Sequence, residues 1–240
     1  MHSHRYTDRE RLAELWEVEV RTFRAARPKS EALWRDASTR MPDGVPMLWM
    51  AKWPGPWPVY VESAAGAHFD CADGIDHVDL CLGDTGAMCG HAPRAAVLAI
   101  ADQLAKGSTY MLPTADAARA ASLLEERFSL PSWQFTLSAT DANRSLIRYA
   151  RQVTGRPKIL VVDYCYHGSV DEAFATLDAD GAVVERRGNI GAPVAPGETT
   201  VVVPFNDVPA LERALARLDV AAVLIEPAMT NIGIVLPDEG

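Results

Sequence analysis

Two short groups of residues within 133–168 are of types and spacing that could do chemistry: the polar turn Ser138-Ala139-Thr140 and the loop Tyr166-His167-Gly168. The turn sets two hydroxyls where a helix must leave its opening amides without partners, which by geometry is a cradle for a phosphate. The loop puts a flat aromatic ring at the C-terminal end of the apolar run Ile159-Leu160-Val161-Val162, the sheet edge where α/β proteins bind phosphorylated ligands. Most capped helices in α/β proteins bind nothing, so the cradle alone assigns no ligand. Nor is there a Gly-x-x-x-x-Gly-Lys-Ser/Thr or a Gly-x-Gly-x-x-Gly stretch, so nucleoside triphosphates and dinucleotides lack their fingerprints.

The elements that must position these groups follow from pattern. Phe135 to Leu137 is expected as a short strand. Ser138 or Thr140 then caps a helix whose Ala142, Leu146, Ala150 and Val153 share one face, ending at Gly155. The β-branched run at 159–162 reads as a strand covered on both faces of a parallel sheet. After the Tyr166 loop come a short helix near 170–177 and a long Gly- and Pro-rich surface loop over 178–197. A buried strand at 199–203, a helix capped by Asp207 and reaching Leu218, and a strand at 220–225 running into Glu226-Pro227 complete the series. Strand–helix–strand alternation predicts a doubly wound α/β fold.

Upstream, residues 9–27 and 30–40 read as helices separated by Pro28, the second capped by Ser30. The Trp- and Pro-rich stretch 46–58 is expected to be irregular, and Trp49, Trp53 and Trp57 either line an apolar pocket or cover the edge of a core. Residues 59–82 read as a β-meander with turns at Ala65-Gly66 and Asp73-Gly74. Small residues over 83–91 imply close backbone approach. Helices follow from Pro93 to Lys106 and from Ala115 to Phe128.

Composition narrows the function. The chain has 240 residues, 48% hydrophobic and 23% charged, the profile of an ordinary globular protein. A net charge of -9 argues against nucleic acid as a partner. No apolar run approaches the ~20 residues of a membrane helix, and the polar start is no secretory signal, so a cytoplasmic protein is expected. Cys71, Cys81, Cys89 and Cys165 show no metal-ligand spacing and read as reduced thiols. Asp70, Asp73, Asp76 and Asp79 recur every third residue, but strand alternation scatters them and the spacing of a calcium loop is missing, so they read as turn formers and solvated positions. Asp84-Thr85-Gly86 is the tripeptide of an aspartic protease, present once where two carboxylates are needed. Cys165 and His167 make a poor nucleophile pair along one strand end.

Taken in order, Ser138-Ala139-Thr140-Asp141-Ala142, Arg148-Tyr149-Ala150-Arg151, Thr154-Gly155-Arg156 and Tyr166-His167-Gly168 resemble the class III aminotransferases, with which the glutamate-1-semialdehyde aminomutases belong. Gly90-His91-Ala92-Pro93 is similar to that family's Gly-His-x-x-Pro, shortened by one residue. The stretch from Glu226-Pro227 to Asn231-Ile232-Gly233 is similar to its Glu-Pro-x-x-x-Asn-x-Gly. The resemblance implies an α/β fold of pyridoxal-phosphate fold type I, with a mostly parallel sheet, flanking helices and the C-terminal part missing. Residues 1–82, helices and β-meander, would belong to the small domain, and 83–240 to the large cofactor-binding domain.

The same resemblance implies pyridoxal 5'-phosphate as cofactor. Ser138, Ala139 and Thr140 would hold its phosphate, Tyr166 would stack on its ring, and His167 would shape the loop. Asn231 would lie near the ring edge, with Glu226 behind it. The implied reaction moves an amino group from an amino acid or amine to a 2-oxo acid, with an intramolecular aminomutase as the close alternative. A homodimer is implied, with residues 83–91 and 110–113 contributing at its interface. Two features depart from the pattern. Ala139 and Asp141 stand where the family has Gly and Glu, which places a Cβ in the phosphate loop. And neither the Asp that pairs with the pyridine nitrogen nor the Schiff-base lysine is present: Lys29, Lys52, Lys106 and Lys158 are the only lysines and none sits in the right context. The resemblance puts the Schiff-base lysine beyond Gly240, so no catalytic residue is expected on this chain. The chain therefore reads as the N-terminal portion of a longer enzyme, the rival being a non-catalytic module of the same fold.

Overall fold

The computed structural model describes residues 8–239. Two sequence readings fall on the rest. The polar start read as non-secretory lies mostly outside the described residues, and so does Gly240, beyond which the Schiff-base lysine is expected. The chain divides into two compact units, 1–113 and 114–240.

In the first unit, α1 (Arg9–Ala26) ends where Pro28 opens α2 (Pro28–Ala37). Ser30, expected as the cap, instead lies within α2 and is buried. The cap comes from elsewhere: Asp73, in the turn after β2, accepts the Lys29 and Ser30 N–H groups at 2.7 and 3.1 Å and the Ser30 hydroxyl at 2.5 Å. The stretch expected to be irregular contains a single 3₁₀ turn, Leu48–Lys52. Trp57 is buried, stacked on Trp34 at 6.2 Å and edge-on to Phe23 at 5.6 Å, so it belongs to a core. Trp49 and Trp53 are exposed on an apolar groove with Tyr60, Phe69 and Val78.

The meander is β1 (Val61–Ala65), β2 (His68–Cys71) and β3 (Asp76–Val78), antiparallel in that order. Asp79 is no solvated position. Its carboxylate accepts the N–H groups of Cys81, Leu82 and Gly83 at 2.9 to 3.0 Å and meets His91 Nε2 at 2.6 Å. The close approach expected of the glycines is that of Gly90, φ +84°, against Gly66, beside paired Gly66 and His91 backbones. Asp84 and Thr85 are a left-handed turn, with φ of 57° and 67°. The helix α3 (Arg94–Lys106) ends at Gly107.

The second unit opens with α4 (Ala115–Phe128). Residues 132–136 are not a strand, and Phe135 and Leu137 are exposed. A strand needs a neighbour for its N–H and C=O groups, and among the described residues this stretch pairs with none.

Three parallel strands carry the unit in the order β7-β4-β8: β4 (Lys158–Val162) in the centre, β7 (Thr200–Val203) and β8 (Val220–Leu224) beside it. Alternate residues of β4 feed two cores. Ile159 and Val161 pack with Ile147 of α5 (Ala139–Thr154), whereas Leu160 and Val162 pack with Ala214 and Leu211 of α7 (Val208–Leu215). Helices thus cover both faces, as alternation predicted. Asp207 caps α7 through the Ala210 N–H at 2.8 Å, though the helix ends earlier than Leu218.

Between β4 and β7 the structure is more regular than the sequence suggests. A 3₁₀ turn, Asp171–Phe174, leads into a hairpin of β5 (Ala175–Leu177) and β6 (Val183–Glu185). A single turn, α6 (Pro196–Thr199), follows. The rotation of α5 also differs. Ile147 is its buried residue, while Leu146 and Val153 are exposed. Polar contacts turn the helix: Asn143 donates to the His167 carbonyl at 2.9 Å, and Arg151 bonds the Pro157 carbonyl at 2.7 Å and the buried Glu172 at 2.7 Å. Each satisfies a group that would be costly to bury unpaired.

Candidate functional site

The loop after β4 and the start of α5 meet at the C-terminal end of the sheet. Ser138 is the N-cap of α5: its Oγ accepts the Asp141 N–H at 3.1 Å and donates to the Asp141 carboxylate at 2.8 Å. Capping by Ser138 leaves the Ala139 and Thr140 amides at the open end of the helix, which carries the positive end of the helix dipole. Ala139 is the first helical residue and has no positive φ, so its Cβ costs the backbone nothing there.

Thr140 fastens the second half of the site. Its Oγ1 accepts the Ser169 N–H at 3.0 Å, and its hydroxyl proton remains available. Gly168, with φ +79°, lies against Thr140 so closely that a Cβ there would stand 3.0 Å from Thr140 Cα. With the Asn143–His167 bond, this pins the Tyr166 loop to the first turn of α5. Asn143 and Ser169 escape a reading by motif; only the regular recurrence of inward positions 143, 147 and 151 on α5 points to the first.

Tyr166 presents an exposed ring, and its N–H donates to Glu226 Oε1 at 2.9 Å. Glu226, just past β8, also accepts the Thr230 N–H at 3.3 Å. One carboxylate thereby ties the exits of β4 and β8. His167 points the other way, with 8% of its surface exposed and Nε2 unpartnered among the described residues. Burial pushes its pKa down, against the Glu226 carboxylate and the Leu224 carbonyl, so the ring is neutral at pH 7. Asn231 is exposed in the turn between Met229 and Val235, whose backbones pair at 2.9 and 3.0 Å; among the described residues it makes no side-chain hydrogen bond to the others.

Cys165 is buried, and desolvation pushes its thiol pKa up to about 12, so it is no nucleophile. Lys158, the one lysine of this unit, starts β4 and so lies at the opposite sheet edge, 3.5 Å from Asp219. It cannot stand in for the lysine expected beyond Gly240.

The arrangement can hold a phosphate on the helix start and a flat ring against Tyr166. Residues 49–240 match the family described as aminotransferase class-III. The glutamate-1-semialdehyde 2,1-aminomutases of Thermodesulfovibrio yellowstonii and Methanoculleus marisnigri are 33% and 36% identical over 215 and 214 residues, 88% of this chain. The chain spans about half the length of these curated relatives, 50% and 51%. A crystal structure of a glutamate-1-semialdehyde aminomutase from Pseudomonas aeruginosa is 47% identical, with a TM-score of 0.93 over 97% of this chain and 51% of that one. A variant of that enzyme was crystallised in complex with PMP. An omega-transaminase from Sphaerobacter thermophilus is 34% identical, with a TM-score of 0.78 over 88% of this chain and 50% of that one. Fold, motif order and sequence agree: the chain belongs to the class-III aminotransferase family, with the fold of type I pyridoxal-phosphate enzymes.

Proposed function

We propose that this chain supplies the phosphate-holding and ring-stacking half of a pyridoxal 5'-phosphate site in an amino-group-moving enzyme. The observation that carries it is the fastening of the Tyr166 loop to the start of α5 by the Thr140–Ser169 and Asn143–His167 bonds. The residues fit the group. The Ala139 and Thr140 amides and the Thr140 hydroxyl proton can donate to a phosphate, and Ser138 can do so by releasing Asp141. Tyr166 would cover one face of the ring, and Asn231 and His167 would bound the pocket. Bound, the cofactor supplies the electron sink for proton removal at the carbon bearing the amine.

The part of this chain would be binding and orientation: the helix start would donate to the phosphate, Tyr166 would cover the ring, and Glu226 holds the Tyr166 backbone. Lys158 faces the other sheet edge, so the proton-shuttling lysine is not among the residues of the second unit. The homodimer, the cytoplasmic location and the division into small-domain residues 1–82 and large-domain residues 83–240 belong to the same proposal.

Between the two reactions we favour an intramolecular aminomutase of the glutamate-1-semialdehyde type, because the relatives at 33% and 36% identity and the structure at 47% carry that name. Transfer to a separate 2-oxo acid is the second reading, favoured by the likeness to the omega-transaminase. The full-length enzyme should turn over glutamate-1-semialdehyde without added acceptor; a strict need for a 2-oxo acid would reverse the order. Binding is tested by Tyr166→Ala, expected to weaken pyridoxamine 5'-phosphate by up to about tenfold, the worth of one aromatic stack. Unchanged affinity removes Tyr166 from the site.

A further inference from the structure

Tyr166 is bonded to Cys165 through one peptide unit, and both polar ends of that unit are held by opposite charges. The N–H of Tyr166 donates to Glu226 Oε1 at 2.9 Å. The carbonyl of Cys165, the other end of the same plane, accepts from Arg186 Nη1 at 2.6 Å. A guanidinium on the oxygen and a carboxylate on the N–H each match the sign of the peptide dipole, and both bonds are charge-assisted. Because the unit is planar, holding both ends fixes its rotation, and with it the direction in which the Tyr166 side chain leaves the backbone.

Arg186 is itself anchored. It follows β6, and its own N–H donates to the Phe174 carbonyl at 2.8 Å, continuing the β5–β6 hairpin. Its guanidinium lies 5.5 Å from the ring centre of Tyr164, a residue held at φ +60°. That left-handed residue is where the chain reverses out of β4, and it costs a non-glycine backbone free energy that its surroundings must offset. The hairpin grips the preceding residue as well: Asp163 Oδ1 accepts from the Thr176 hydroxyl at 2.6 Å and the Leu177 N–H at 3.3 Å. The hairpin therefore braces residues 163–165 from one side while Glu226 holds Tyr166 from the other.

We propose that Arg186 is a positioning residue for the cofactor ring: by clamping the Cys165–Tyr166 peptide against Glu226 it sets where the Tyr166 side chain leaves the backbone, without touching the ligand. The assignment rests on the reading of Tyr166 as the ring-stacking residue. It separates two parts of the site, because the phosphate cradle at the start of α5 does not include Arg186.

The test is calorimetric titration of the full-length protein with two ligands, pyridoxamine 5'-phosphate and inorganic phosphate. The first carries ring and phosphate and needs no covalent lysine; the second carries the phosphate alone. Arg186→Met should weaken pyridoxamine phosphate about tenfold, as expected for one charge-assisted hydrogen bond, and leave inorganic phosphate unchanged. Arg186→Lys keeps the charge and one donor but loses the flat plate over Tyr164, and should weaken pyridoxamine phosphate about threefold. It decides the matter alone if Arg186→Met does not fold. Parental affinity for pyridoxamine phosphate in the folded variants overturns the proposal, and so does a parallel loss of both ligands, which marks Arg186 as merely structural. If the parent protein binds neither ligand, the site reading fails first and takes this assignment with it.

Discussion

Replacing Gly168 by alanine should injure the site far more than the same change at Gly155, although both glycines have left-handed backbones, φ +79° and +68°. The left-handed conformation costs an alanine roughly 1–2 kcal/mol at either position. At Gly155, the C-cap of α5, nothing lies within 4 Å of the added methyl, so that strain is the whole cost. At Gly168 the methyl would overlap Thr140 Oγ1 and stand 3.0 and 3.2 Å from Thr140 Cα and Cβ, where helix backbone cannot yield. Relief requires lifting the loop, which gives up the Ser169–Thr140 and Asn143–His167 hydrogen bonds. At about 1 kcal/mol for each bond, the Gly168 variant should lose roughly 3–4 kcal/mol in all. Urea unfolding followed by far-ultraviolet circular dichroism measures both variants, and titration with pyridoxamine 5'-phosphate measures the site. Gly155→Ala should keep parental affinity and Gly168→Ala should lose it. Equal stabilities, within about 0.5 kcal/mol, together with intact binding in Gly168→Ala, would refute the steric reasoning.

Two further outcomes follow from the cysteines and from Asp79. Iodoacetamide at about pH 8 should label the exposed Cys81 and Cys89 in the native protein and spare Cys71 and Cys165, the last because burial keeps it a neutral thiol; peptide mass mapping that finds Cys165 labelled as fast as Cys81 contradicts this. The His91 contact, with help from the Cys81, Gly83 and Leu82 amides and against desolvation, holds the Asp79 carboxyl below the usual carboxylate range. A depressed folded pKa stabilises above the unfolded value, about 4, and that contribution is lost as pH falls through the folded value. Acid unfolding profiles of Asp79→Asn should therefore be flatter below about pH 4 than those of the parent, and superimposable profiles count against the contact.

What was legible in the sequence is what short-range chemistry decides. The β-branched run Ile159-Leu160-Val161-Val162 reads as a strand buried on both faces and is one, and Asp207 and Ser138 cap the helices that follow them. Less legible was anything set by a distant partner. Ser30 looked like a cap until Asp73, 43 residues away, supplied the carboxylate. The apolar residues of α5 pointed to a face that Asn143 and Arg151 rotate outward, since hydrogen bonds to the His167 and Pro157 carbonyls outrank the burial of Leu146. Phe135 and Leu137 have strand composition, but composition does not provide a neighbour. In the candidate site the motifs singled out Ser138, Thr140 and Tyr166, whereas Arg186, proposed to position Tyr166, stood in a stretch rich in Gly and Pro. Its partner there, a backbone carbonyl, is a group every residue carries and no motif records.

The alanine at the mouth of α5 has a consequence for the unfolded chain. Residue 139 is helical in the native state, so glycine's wider conformational range is of no use there once the protein has folded. Alanine narrows the range of conformations open to the chain before folding, worth roughly 0.4–1 kcal/mol when the native backbone accommodates it. The turn that would meet an anion is accordingly stiffer than one built on glycine, and less of the ordering is left for the ligand to impose.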